Sequence, residues 1–148
     1  MKIKKDFIIL SIILLLNAIG IILYFKFLQY KYKKNYTNHD VLNKKIIDIP
    51  IISKNCCSWW PISHFVSFTI YSYMFPQYSI VLFIYGVLWE IIEIIINIFE
   101  TKKGEIVKHQ QTRNGDNIEY VTWWSGSYKD ILFNLGGIIF GRIIKTLL

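Results

Sequence analysis

The sequence is poor in the residues that would mark a disulfide-stapled, metal-knuckle or charged soluble domain. Its two cysteines, Cys56 and Cys57, are adjacent, and a bridge between neighbours in the chain is strained. No CxxC pair or Cys/His spacing accompanies them, which argues against a structural zinc site. Free thiols, or palmitoylation beside a membrane face, are both open readings. Only 18% of residues are charged. Internal repeats and low-complexity linkers are absent, and 148 residues suit one domain.

What is present is hydrocarbon, delivered in blocks. Apolar residues make up 53% of the chain and run in long stretches instead of amphipathic alternation, the pattern of a membrane protein. The net charge of +7 would suggest nucleic acid in a soluble domain. Here the lysines stand beside the apolar blocks, as in "KFLQYKYKKNY". Basic residues flanking spans meet anionic headgroups and bias orientation, so nucleic-acid binding is not expected.

The first block, Phe7–Phe25, matches the roughly 20 residues that a helix needs to cross the hydrocarbon core. It is too long for the apolar part of a signal peptide, and no small-x-small cleavage site follows. Residues 1–28 are therefore read as a retained span and 29–58 as a Lys-rich polar surface loop. Trp59 and Trp60 mark a headgroup boundary, and Pro61 suits the first turn of a helix. Residues 59–148 form a three-helix membrane core. Its spans are "PISHFVSFTIYSYMF", Ser79–Phe99 and about Lys129–Leu148, with a polar loop over 100–122. The fold expected is all-α: an integral membrane protein with about four transmembrane helices. The Lys/Arg bias places the two long loops in the cytosol.

The third span, "GVLWEIIEIIINIF", carries Glu90 and Glu93 near the middle of an otherwise apolar run. An ionised acid at the centre of a membrane helix costs about 2.5–3.5 kcal/mol on insertion scales. Net stability is only about 5–15 kcal/mol, so two such acids plus Asp130 require compensation. The candidates are protonation, a basic partner, a water-filled cavity or a bound cation. Helical spacing aligns Glu90, Glu93 and Asn97 on one stripe. It aligns Asp130, Asn134, Gly137 and Gly141 on a second, and His64, Ser67 and Tyr71 on a third. Convergence of the three would make one polar centre. Glu90, Glu93, Asp130 and Asn134 are then candidate ligands for Ca²⁺ or Mg²⁺, which take hard oxygen donors. "GIIFG" is a small-xxx-small face that permits close helix approach.

These residues resemble two families. "WWPISHFVSFTIYSYMFP", "GVLWEIIEIIINIFE" and "WWSGSYKDILFNLGGIIFG" are similar to the membrane core of base-exchange phosphatidylserine synthases. The shared pattern is two acids three apart, then a Trp pair, an Asp, an Asn and a Gly-rich ending. Ser125 stands where that family has an acid. The spacing from Asp130 through Asn134 to Gly137 also resembles the VanZ-like membrane proteins, whose length fits better. The synthase resemblance implies a cation-dependent, CDP-independent phosphatidyl transfer that exchanges phospholipid headgroups in an endomembrane. His64 and Asp130 would then be catalytic, His64 as the base. The VanZ-like resemblance implies architecture more than reaction. The competing class is a non-catalytic membrane protein whose polar centre fixes helix packing or binds a partner.

Overall fold

The computed structural model describes residues 2–32, 40–49, 53–102, 108–111, 118–120 and 127–148. Four helices make up the packed body: α1 (Lys2–Tyr32), α2 (Trp59–Met74), α3 (Ser79–Lys102) and α4 (Tyr128–Leu147). Two short antiparallel ribbons lie in the connections. β1 (Lys45–Ile49) pairs with β2 (Ser53–Ser58), and β3 (Lys108–Gln111) pairs with β4 (Ile118–Tyr120).

Among the described residues, two helices are long and apolar enough to cross a membrane, over Lys4–Tyr32 and Pro76–Phe99. Only 11% and 22% of their apolar windows are buried, so most of this hydrocarbon faces outward. α2 has 16 residues and at 1.5 Å per residue reaches about 24 Å, short of the ~30 Å hydrocarbon core.

Local chemistry sets the helix ends. α2 begins with Pro61 in its first turn, where a missing N–H strands no bond. It stops at Phe75 because Pro76 disfavours helical backbone in the residue before it. The reversal Pro76–Tyr78 then leads straight into α3, and the Ser79 hydroxyl donates to the Pro76 carbonyl at 2.8 Å. Ser127 caps α4, its side chain accepting from the Lys129 N–H at 3.2 Å.

The segment expected as a continuous polar loop over 29–58 is more ordered than that reading. α1 continues to Tyr32 because Phe25 and Leu28 extend its apolar face onto Trp89. A short 3₁₀ turn, Val41–Asn43, follows Asp40. "KIIDI" then forms β1, as its β-branched residues favour. The loop expected over 100–122 likewise contains β3 and β4.

α2 and α4 form the tightest pair. A Cβ added at Gly137 would collide with the Phe65 carbonyl oxygen, and one at Gly141 with the Thr69 carbonyl oxygen. The small-residue face expected from "GIIFG" thus lies directly on the α2 backbone. The buried Ser72 hydroxyl stitches the pair by donating to the Ile138 carbonyl at 2.9 Å. α1 is held differently, by large side chains at two levels. Leu10 and Leu14 join Phe68, Phe75, Leu82 and Ile138, while Phe25 and Leu28 meet Trp89.

Candidate functional site

Four polar side chains from three helices meet at the end of the bundle where α4 begins. His64 Nδ1 lies 3.0 Å from Asn134 Oδ1 and 3.9 Å from Glu90 Oε1. A ring nitrogen of His64 and one oxygen each of Glu90 and Asp130 lie within 4.8 Å of one another. Glu90 is 2% exposed and Asn134 1%.

The first turn of α4 supplies part of the compensation that the acids need. Glu90 Oε2 accepts the Ser127 backbone N–H at 2.8 Å, so a carboxylate from α3 docks on the positive end of α4. Asp130 adds a second carboxyl from that same turn. The compensation is incomplete. Glu90 Oε1, Asp130 Oδ1 and Asn134 Nδ2 are buried and have no hydrogen-bond partner among the described residues. Two orphaned carboxylate oxygens beside an imidazole nitrogen form a donor set for a divalent cation. Oxygen donors suit Mg²⁺, Ca²⁺ or Mn²⁺, and the nitrogen adds affinity for Zn²⁺ or Mn²⁺. The residues fit such an ion by their chemistry.

The convergence expected from the three stripes occurs, with altered membership. His64, read as a proton carrier, belongs to the candidate ligand group alongside Glu90 and Asp130, and Asn134 touches it. Glu93 lies outside that group, a turn further along α3, hydrogen-bonded to the Trp89 side chain. Asn97 is further still. Tyr71 serves a different contact, taking a hydrogen bond from the Asn17 side-chain amide of α1. Trp123, Trp124 and Ser125 lie outside the described residues.

A cavity of about 640 Å³ adjoins this cluster, and His64 and Asn134 contribute to its wall. α1 presents Asn17, Gly20, Ile21 and Tyr24 to it, a single i, i+3, i+4, i+7 face. Val41 and Leu42 of the 3₁₀ turn close one side.

Asp40 is the polar residue that sequence reading passed over. It is 1% exposed. Its Oδ1 accepts from the Tyr24 hydroxyl and the Leu42 N–H, both at 2.9 Å, and its Oδ2 from Trp60 Nε1 at 2.9 Å. One carboxylate therefore ties α1, the 3₁₀ turn and α2 together beside the cavity. The signal available was an Asp directly before "VLN", where Asp caps a turn; its long-range partners leave no local pattern.

No family model, curated protein or solved structure matched the chain.

Proposed function

We propose that the chain is an integral membrane protein in which α2 and α4 lie in the bilayer beside α1 and α3, and that it transfers phospholipid headgroups with a divalent cation. The membrane setting is supported by the outward-facing hydrocarbon of α1 and α3. The reaction reading rests on one observation above all: Glu90 Oε1 and Asp130 Oδ1 are buried without hydrogen-bond partners among the described residues, on carboxylates that flank the His64 ring. Orphaned acceptors cost about 1–3 kcal/mol each, more when charged, and a cation relieves both.

Glu90 and Asp130 would hold the ion, while His64 beside them, oriented by Asn134 through Nδ1, stays off it as the base. A divalent cation there would supply Lewis-acid polarisation of a phosphodiester oxygen. In a headgroup exchange the incoming alcohol forms a P–O bond while the outgoing alcohol's P–O bond breaks. His64 is placed to accept the proton of the first and return it to the second. This is the reading that the resemblance to phosphatidylserine synthases favours, whereas the VanZ-like resemblance bears on architecture.

The test has two steps. Thermal unfolding of detergent-purified protein is followed in chelator and then in Ca²⁺, Mg²⁺, Mn²⁺ or Zn²⁺. An ion at 100 times its dissociation constant stabilises by about 2.7 kcal/mol, so an upward shift in Tm is expected with at least one of them. Exchange of labelled serine into phospholipid vesicles then tests the chemistry. A flat response to every ion removes the cation centre. An ion response without exchange favours the second reading, a non-catalytic centre that locks α2, α3 and α4 together. The helix-to-helix bonds His64–Asn134 and Ser127–Glu90 support that reading.

A further inference from the structure

The cavity has a layout that the cation centre does not require. Its α1 wall is Gly20 and Ile21, and Phe68 and Trp89 face it from α2 and α3. α2 adds Ser63, His64 and Ser67, while the polar Asn17, Tyr24 and Tyr85 on the other walls are engaged by Tyr71, Asp40 and the Leu14 carbonyl. Ser63 is satisfied internally, donating to the Trp60 carbonyl at 2.7 Å. His64 has Nδ1 engaged by Asn134, which leaves Nε2 as the ring nitrogen for a further partner. A largely apolar chamber with a few polar groups in its walls is the form of a site for an amphiphile.

Size narrows the occupant. Taking a methylene at about the ~30 Å³ of a water molecule in the liquid, 640 Å³ holds on the order of 20 chain carbons. That is one hydrocarbon tail and not two. The surroundings supply such a molecule, because the outer faces of α1 and α3 are lined with exposed leucines, isoleucines and phenylalanines.

We propose that this cavity holds a single hydrocarbon tail of an amphiphile whose polar end meets His64. The inference rests on the proposed function for its membrane setting alone, and it needs no cation. Gly20 offers a clean way to test it: a Cβ added there meets nothing within 4 Å. A side chain at 20 therefore starts in open space on the cavity wall, with no packed atom against its Cβ.

The protein is reconstituted in bilayer nanodiscs with probes carrying a diazirine at mid-chain. The probes are a fatty acid, a lysophosphatidylcholine and a phosphatidylcholine with one labelled chain, each tested in EDTA and in Mn²⁺. Mass spectrometry maps the adducts after irradiation. Adducts are expected on the cavity faces, around Gly20, Ile21, Ser67 and Phe68, in wild type and in Gly20→Ala. Gly20→Phe should reduce them at least tenfold while leaving adducts at the outward Leu15, Leu16 and Leu23 unchanged. Excess unlabelled lysolipid should compete only at the cavity positions, a readout independent of any variant's folding. Labelling by the single-tailed probes alone identifies a free single-chain amphiphile. Labelling by the phosphatidylcholine as well identifies a bilayer lipid with one chain inserted. Cavity adducts that are absent, or that neither Gly20→Phe nor competitor reduces, overturn the proposal. Persistence in EDTA keeps it even where the cation response fails.

Discussion

His64 and Asn134 stand 70 positions apart in the chain, yet their side chains meet at 3.0 Å. The contact follows from what happens one turn away. Gly137 lies against the backbone of Phe65, the residue after His64, so α4 comes onto α2 at a distance that only a missing side chain permits. The small-residue face and the polar centre are thus one arrangement: the glycines set the helix separation, and the separation lets an amide reach an imidazole.

The two acids of α3 should behave differently. Glu90 belongs to the candidate ligand group and Glu93 does not. Glu90→Gln is expected to abolish the stabilisation by divalent cation, on the order of 2–3 kcal/mol near saturation. Glu93→Gln should retain most of it. In chelator, Glu90→Gln should match wild type or exceed it in Tm, because an amide removes a buried charge while keeping an acceptor for Ser127. The measurement is Tm against ion concentration for both variants. Equal loss in both would return Glu93 to the site.

Neighbouring glycines of α4 give a second contrast. At Gly137 an added Cβ collides with the Phe65 carbonyl oxygen and comes within 3.1 Å of the Thr69 nitrogen, and backbone cannot swing aside. Gly137→Ala should cost about 1–3 kcal/mol, the usual range for overpacking. At Gly136 the nearest atom is the Phe65 ring edge at 3.5 Å, an ordinary contact, so Gly136→Ala should be nearly neutral. Denaturant unfolding of the two variants in mixed micelles decides it. Similar gains at both positions would mean that helix propensity, which favours alanine, and not close approach governs this face.

Much of this was legible because helices write their partners into the sequence at fixed spacing. The stripe Asp130, Asn134, Gly137, Gly141 could be read without coordinates, as could the stripe that carries His64. Their convergence then required only that the helices pack. Membership of the ligand group was less legible. Glu90 and Glu93 share a helix face, and what separates them is the N-terminus of α4, which meets Glu90 through the Ser127 N–H. That neighbour is fixed by tertiary packing. The hairpin of β1 and β2 leaves little trace in the sequence, because a five-residue strand within a Lys-rich stretch carries a weak periodic signal. The cavity was invisible for a related reason. It exists because α1 is propped off the bundle by bulky side chains at two levels, a property of no single segment.

Asp40 offers the sharpest prediction outside the cation group. Its carboxylate serves donors from α1, the 3₁₀ turn and α2 at once, so replacing it with alanine strands the Tyr24 hydroxyl, the Leu42 N–H and the Trp60 indole. Each buried donor left unsatisfied costs about 1–3 kcal/mol, less where water can reach it. Tyr24 and Trp60 are only partly buried, so Asp40→Ala should lose on the order of 2–4 kcal/mol in all. Asp40→Asn keeps one acceptor oxygen and cannot satisfy both sides of the node, so its loss should fall between those of alanine and wild type. Because Trp60 and Tyr24 also line the cavity, releasing them should admit water there and shift tryptophan emission to the red. Trp60→Phe serves as the control: it removes the fluorophore and one donor, and it should abolish most of the spectral change that Asp40→Ala produces. An Asp40→Ala protein that unfolds at the wild-type denaturant concentration, with unchanged emission, would show that the turn holds its place by apolar contact and that the carboxylate network contributes little.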